Sequence, residues 1–233
     1  MFDYYADLNL KSPEVQHYLQ KTNSREIPLM DQFSSGMIDE VLRNSEGRIG
    51  NTQLDSANDL IDHFLAKDKW KAESLMREFT ERVIKGRDKE TLKHWVVGYK
   101  EPELQAGTAQ RVIESGVFDK NPLEAVEFAN SLDSTKAKCS ALSSAYARLA
   151  GGVNGHDPNI TASELNAMED GWQRDFALNG FAHGLVRKDP EAAIQWASSI
   201  SNEGFRKVVT KNINKRINAE VLPRLNSQEV GQD

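Results

Sequence analysis

Three histidines have equivalent places in the sequence, because each stands one position before an aromatic residue: His17-Tyr18, His63-Phe64 and His94-Trp95. On a helix this position lies about 150° from the middle of the apolar face, so we expect solvent-facing imidazoles. Helices about 8–10 Å apart cannot bring three imidazoles to one zinc ion, whose nitrogen ligands lie at roughly 2.0–2.1 Å. The pattern indicates a pH-responsive stripe that binds a partner, or a solvated face inherited by duplication.

A second group combines an imidazole with two carboxylates, namely His156, Asp157 and Glu164. Glu164 stands where related helices have an aromatic residue, and an unpaired buried carboxylate is costly. We therefore expect this carboxylate to be exposed, paired or in contact with a ligand. Glu, His and Asp can act as general acids and bases, but their spacing here defines no catalytic site.

A third group is basic, because Lys207, Lys211 and Lys215 recur at every fourth residue, with Arg206 and Arg216 beside them. This spacing places the three lysines along one side of a helix. The stripe predicts a contact with nucleic-acid phosphates or with an acidic protein. The alternative is a solvated face near a helix C-terminus, where positive charge is favoured.

Motifs for cofactors and covalent catalysis are missing from the sequence. The short glycine-rich loops match neither a P-loop nor a dinucleotide-binding fingerprint, and His-Glu-x-x-His does not occur. Cys139 is the only cysteine, which excludes an internal disulfide and a cysteine-rich zinc site. It lies in an alanine-rich segment, where we expect a core residue. We predict a protein without catalytic activity, cofactor or metal.

The elements that must position these residues are helices, and the clearest one lies within residues 188–200. Asp189 is a preferred N-cap, Pro190 suits the first helical position, and Glu191 complements the positive end of the helix dipole. Apolar residues then follow at i, i+3, i+4 and i+7, which is typical of one buried helix face: Ala193, Trp196, Ala197 and Ile200.

Weaker copies of this helix recur upstream, mostly 31–36 residues apart. Their apolar slots begin at Val15, Ile61, Leu92, Ala125 and Thr161. An aromatic residue fills the second slot in five of six copies: Tyr18, Phe64, Trp95, Phe128 and Trp196. Asn121 and Glu124 also fit a capping box. Such a period predicts stacked units of two helices each.

The patterns predict helices throughout, separated by two long polar loops at 44–55 and 150–159. The expected helices span 13–22, 30–43, 57–66, 69–85, 88–99, 102–117, 121–132, 134–149, 160–168, 170–186, 189–200 and 203–219. The last of these carries an expected apolar stripe of Phe205, Val208, Val209, Ile213 and Ile217. No segment alternates apolar and polar residues long enough to predict a sheet.

Composition narrows the class of protein. The 233 residues are 39% hydrophobic and 27% charged, which is too apolar for wholesale disorder. A net charge of -6 argues against a general nucleic-acid binder. The first residues have neither a basic region nor an apolar run, and no segment reaches the roughly 18 apolar residues of a membrane span. We therefore expect a soluble cytoplasmic protein.

Residues 184–196 (GLVRKDPEAAIQW) resemble the centre of a Sel1-type repeat, a relative of the tetratricopeptide repeat (TPR), and residues 116–128 are a weaker match. The resemblance covers mainly residues 88–219. Most Sel1 glycines and the Trp-Leu-Gly-Tyr signature of tetratricopeptide helices are missing, so a HEAT-like hairpin repeat remains open. The resemblance implies an α/α superhelix that acts as an adaptor or scaffold. It assigns no functional role to any individual residue.

Taken together, the sequence predicts an all-α solenoid of about five to six helical hairpins. We expect an N-terminal hairpin with a long loop at 1–54, hairpin repeats at 55–219 and a tail at 220–233. The predicted function is non-enzymatic binding of a protein or peptide partner. Two alternatives are a structural assembly subunit that self-associates through its terminal repeats and, less favoured by the acidic composition, a HEAT-like nucleic-acid-binding protein.

Overall fold

The structure, a computed structural model, describes Val41, residues 49–86 and residues 88–220. These residues form ten α-helices and one short 3-10 turn, Val153–Gly155, with no strand among them. The helices are α1 Asn51–Leu65, α2 Lys69–Gly86, α3 Lys89–Val97, α4 Pro102–Glu114, α5 Leu123–Ser131, α6 Thr135–Ala150, α7 Pro158–Ala167, α8 Trp172–Leu185, α9 Pro190–Ser198 and α10 Glu203–Glu220. The predicted all-α class is confirmed, while the solenoid arrangement stays a prediction.

Most helix boundaries fall within a few residues of those predicted, and the exception is α1. It begins at Asn51, so the end of the loop predicted at 44–55 is helical. Leu54 and Ala57 are fully buried and give the first turns of α1 an apolar side. The sequence did not reveal this side because most of the residues around them are polar. The helices predicted at 13–22 and 30–43 lie outside the described residues, apart from Val41.

Aspartate N-caps explain where three of the helices begin, and Asp189 is the one predicted from the sequence. The carboxylates of Asp88, Asp157 and Asp189 accept hydrogen bonds from main-chain N–H groups of α3, α7 and α9. Asn121 differs from the prediction. Its amide donates to the Glu124 side chain at 3.0 Å, and α5 begins at Leu123 without a side-chain cap. The capping box expected there was wrong.

The chain divides into two compact units, Met1–Thr108 and Ala109–Asp233. In the first, α1, α2 and α3 pack against one another around the fully buried Trp95. The indole ring lies 5.9 Å from Phe79 and 5.0 Å from Tyr99, and its N–H donates to Thr80 Oγ1 at 3.0 Å. The hydrogen bond satisfies the only polar atom of this large buried side chain.

In the second unit, the helices pack in a series: α5 on α6, α6 on α8, α8 on α9, and α9 on α10, while α7 contacts both α6 and α8. Trp196 of α9 lies 5.1 Å from Phe181 of α8, fifteen residues earlier. In the first unit, Trp95 contacts Phe79, sixteen residues earlier. Two of the five predicted aromatic slots, those of Trp95 and Trp196, therefore each contact a phenylalanine on the helix before it.

Helices α6 and α8 approach very closely because α8 presents two glycines to α6. A Cβ atom added to Gly180 would lie 1.9 Å from the Ser143 carbonyl oxygen, and one added to Gly184 would lie 2.3 Å from that of Ala147. Asn179 strengthens the contact by donating to Ser143 Oγ at 2.8 Å. Alanine and serine on α6 leave the space that the glycines of α8 enter.

Basic side chains connect successive helix ends at nearly the repeat spacing. Arg148 donates to the Glu114 carbonyl oxygen, Lys188 to that of Gly151, and Arg216 to that of His183. The partners are separated by 34, 37 and 33 residues, and each acceptor lies at or near a helix C-terminus. The unsatisfied carbonyls and the negative end of the helix dipole both favour a cation there.

We predict that Gly180→Ala and Gly184→Ala each lower the free energy of unfolding by about 1–3 kcal/mol, because an added methyl group forces α6 and α8 apart. Urea unfolding followed by circular dichroism measures this effect. Gly204→Ala is the matched control, since its Cβ would meet only Asn202 Oδ1 at 3.5 Å. It should leave stability unchanged or raise it by up to about 1 kcal/mol. Equal effects of the three substitutions would contradict the close approach.

Candidate functional site

The outer face of α10 borders an open groove of about 1250 Å³, which we call the α10 groove. Its described lining comprises Ser198, Arg206, Lys207, Thr210, Lys211, Asn212, Asn214, Lys215, Asn218 and Ala219. All three lysines predicted as a basic stripe are among these residues and are exposed. The sequence prediction that they share one side of a helix is therefore confirmed, and their binding role stays a prediction.

The charge of the α10 groove is strongly one-sided, because its described lining has four cations and no carboxylate. The chain as a whole has more Asp and Glu than Lys and Arg, 35 against 29. Lys207 pairs with Glu203 at 2.6 Å across an exposed surface, and such a pair is weak. Arg206 donates to the Ile200 carbonyl oxygen at 2.8 Å, which fixes its guanidinium at the start of the groove.

The opposite side of α10 packs onto the rest of the second unit. Val209 and Ile213 are buried, and the rings of Phe205 and Phe176 lie 4.7 Å apart. Val208 was wrongly placed in the apolar stripe, because its side chain is 55% exposed. It is next to Lys207 and one turn from Lys211, on the solvent side of the helix. The second unit itself thus covers most of the predicted apolar stripe of α10, and the outer face of the helix is largely polar.

A charged network fixes the end of α10 to α8. Arg216 donates to His183 Nδ1 at 3.0 Å and to Glu220 Oε1 at 3.1 Å, while Arg187 donates to Glu220 Oε2 at 2.7 Å. The hydrogen bonds from Arg216 and Arg187 lower the pKa of Glu220 to about 2. Burial, followed by the charge of Arg216, lowers the pKa of His183. The imidazole therefore accepts the Arg216 hydrogen bond in its neutral form.

The predicted histidine stripe is not uniform in the part of the chain that the structure describes. His63 Nε2 lies 3.1 Å from Lys67 Nζ, and burial with this neighbouring charge lowers its pKa. His94 Nε2 instead lies 3.1 Å from Asp55 Oδ1 and connects α3 to α1. His17 lies outside the described residues. The two equivalent positions therefore have different neighbours, a cation beside one and a carboxylate beside the other, and their role in binding stays a prediction.

The group around α7 consists of residues with local structural contacts and one exposed carboxylate. His156 Nε2 is 2.7 Å from the buried Thr161 Oγ1, and Asp157 accepts from the Asn159 N–H at 2.9 Å. Glu164 is exposed, as one of its three predicted alternatives required. The structure places these side chains on neighbouring turns without a hydrogen bond joining Glu164 to His156 or Asp157 among those it describes.

The prediction that Cys139 is a core residue is confirmed. Cys139 is buried, and burial raises the pKa of its thiol, which favours the protonated, unreactive form. Among the described side chains, no group of three or more His, Cys, Asp or Glu is placed to hold a metal ion. None of the described helices has the length and apolar character needed to cross a bilayer.

Sequence reasoning missed Asp175, a buried carboxylate on α8. It accepts hydrogen bonds from the main-chain N–H groups of Ser201 and Asn202, at 2.7 and 3.0 Å, and from the Ser201 hydroxyl. These bonds fix the turn between α9 and α10 and hence the start of the α10 groove. The available signal in the sequence was weak, because Asp175 is simply the one acidic residue of α8.

Comparison with known proteins gives no relative: no family model, no curated protein and no solved structure matches the chain. The similarity to Sel1-type, tetratricopeptide or HEAT-like repeats therefore stays a prediction. The functional interpretation rests on the geometry of the described residues.

We predict that stability falls as the pH is lowered from about 7.5 to 5.5, in part through His183. Its folded pKa is lower than the ordinary value of 6.5, so the unfolded chain binds more protons in this range. Urea unfolding at several pH values measures the slope. His183→Gln should flatten it, leaving the contribution of His63, which has the same sign. Identical slopes for the variant and the natural chain would contradict the proposed coupling.

We also predict that Asp175→Ala lowers the free energy of unfolding by about 1–3 kcal/mol, because two main-chain N–H groups lose their acceptor. Thermal and urea unfolding measure the loss. Asp170→Ala is the control, since Asp170 is an exposed carboxylate of the same segment that pairs with Arg174 at 2.6 Å. Its removal should cost no more than about 1 kcal/mol. If Asp170→Ala destabilised the protein as much as Asp175→Ala does, the claim that the buried carboxylate has a special structural role would be contradicted.

Proposed function

We propose that the protein is a non-enzymatic adaptor of stacked helical hairpins and that it binds a segment of a partner protein along the α10 groove. The observation on which this rests is the groove itself, which is long, open and basic on an acidic chain. Its volume of about 1250 Å³ exceeds the roughly 300–1000 Å³ of pockets for small molecules. A length of polypeptide fits such a site better than a metabolite does.

The rigidity of α10 supports this function, because a binding surface must hold its geometry. The Asp175 carboxylate fixes the start of the helix, and the Arg216 contacts with His183 and Glu220 fix its end. Between them, Val209 and Ile213 bury the inner face. A partner would therefore meet lysines attached to a fixed helix and would spend no free energy on ordering the main chain that carries them.

Regularly spaced contacts in the second unit, and one kind of contact that both units share, support the hairpin-repeat part of the proposal. Basic side chains reach helix ends 33–37 residues away at three successive places. The two slot tryptophans each contact a phenylalanine of the helix before them. Duplicated hairpins that stack on their neighbours produce such regular spacings, and stacked hairpins present extended surfaces for binding.

The alternatives have less support. An assembly subunit would need an uncovered apolar face at its end, whereas Val208 is the exposed member of a stripe that is otherwise packed or half-buried. A protein that binds single-stranded nucleic acid usually combines cations with aromatic side chains on which the bases stack. The described lining of the α10 groove contains no aromatic ring.

Site-specific photo-crosslinking tests the adaptor function. A photoreactive amino acid at Asn214, in the groove, should give a discrete adduct in native extract that protease destroys and nuclease leaves intact. The same amino acid at Asn130 is the matched control, because Asn130 is an exposed asparagine on α5 of the same unit. Adducts of equal yield at the two positions, or none at Asn214, would contradict binding in the groove, and a dimer of the chain would favour the assembly subunit.

A further inference from the structure

The spacing of the groove lysines defines the partner that fits them. Lys207, Lys211 and Lys215 are four residues apart on α10, so their attachment points rise by about 6 Å at each step. Carboxylates four residues apart on a partner helix repeat at the same distance of about 6 Å. Alternate residues of an extended chain repeat at roughly 6.4–6.8 Å, a mismatch that flexible lysine side chains absorb. A segment with acidic residues at either spacing can pair with all three ammonium groups.

Neutral residues of the groove suit the main chain of a polypeptide. Asn212, Asn214 and Asn218 each offer an amide donor and a carbonyl acceptor, and Thr210 offers a hydroxyl. These groups can pair with both the N–H and the C=O groups of a peptide. A DNA backbone has phosphate acceptors but no hydrogen-bond donor, so it would leave the amide oxygens without a backbone partner. Alternation of lysines with amides therefore favours an acidic polypeptide over an oligonucleotide.

Long-range electrostatics supports the same choice. At low ionic strength the net charge of -6 repels a long polyanion, whereas a short acidic segment meets chiefly the local field of four cations. At an ionic strength of 0.15 M, interactions beyond about 8 Å are largely screened. The local charge of the groove then decides which segment of a partner binds there.

We infer that the α10 groove binds an acidic segment of a partner protein, with its carboxylates about 6 Å apart and paired with Lys207, Lys211 and Lys215. This inference rests on the proposed adaptor function and names the chemistry of the partner. Recognition is electrostatic at the three lysines and uses hydrogen bonds with Asn212 and Asn214 between Lys211 and Lys215, and with Asn218 beyond them. Salt weakens it, because the paired ammonium groups are exposed.

A synthetic peptide of alternating Glu and Ser, twelve residues long, tests the inference, since it offers the required spacing whether helical or extended. Fluorescence anisotropy with the full chain should show saturable binding that high salt weakens. The same peptide with Gln in place of Glu should not bind. A heptathymidylate, with six phosphates to match the six carboxylates, should bind more weakly than the acidic peptide.

The decisive variant replaces Lys207, Lys211 and Lys215 by Gln. We expect it to weaken peptide binding about ten-fold or more, the sum of three exposed ion pairs. The control replaces Lys85, Lys100 and Lys120, which are exposed elsewhere, and so changes the net charge equally. Its affinity should change by less than about two-fold. Circular dichroism of both variants checks that the fold is retained.

Three results would overturn the inference: no binding of the acidic peptide, equal effects of the two triple variants, or tighter binding of the oligonucleotide. The photo-crosslinking at Asn214 separates this failure from that of the adaptor function. A protein adduct that excess acidic peptide does not reduce would leave an adaptor whose partner is not acidic. The absence of any adduct would end the adaptor proposal itself.

Discussion

The close approach of α6 and α8 is the constraint on which the second unit depends. The main-chain carbonyl groups of Ser143 and Ala147 occupy the space that a Cβ atom would need at positions 180 and 184. Only glycine, which has no Cβ atom, fits there. Interiors are packed to nearly crystalline density, so a contact of this kind admits almost no variation in the distance between the helices. It fixes α8, and α8 in turn provides the groups that position the rest.

Helix α8 connects this buried contact to the surface groove through two polar contacts. Near its start, Asp175 binds the turn that precedes α10, and near its end His183 accepts a hydrogen bond from Arg216 of α10. The aromatic pair of Phe181 and Trp196 holds α9 between these two points. The orientation of the lysine row is therefore set by one buried helix rather than by the exposed residues around it.

Much of the fold was predictable from the sequence because its signals are local. Asp189 caps α9 as predicted, Asp88 and Asp157 cap the corresponding helices in the same way, and the apolar slots of these helices are mostly buried. Local patterns could not show that Gly180 and Gly184 face the carbonyl groups of another helix, since a glycine within a helix usually weakens it. They equally missed the early start of α1, whose first turn is polar.

The candidate site was predictable only in part, for a similar reason. The four-residue period placed Lys207, Lys211 and Lys215 on one side of α10, and the structure has them there. The equivalence of His63 and His94 was misleading, because their surroundings come from other turns and helices, a lysine in one case and an aspartate in the other. Charge partners across helices are a tertiary property that a repeat period does not contain.

Amide hydrogen exchange, with and without the alternating Glu-Ser peptide, is the most direct measurement of whether recognition occurs along the outer face of α10. Binding there should slow exchange in the helix Glu203–Glu220, while α5 and α7 of the same unit exchange at unchanged rates. Protection confined to other helices, or no protection of α10 at saturating peptide, would contradict the proposal.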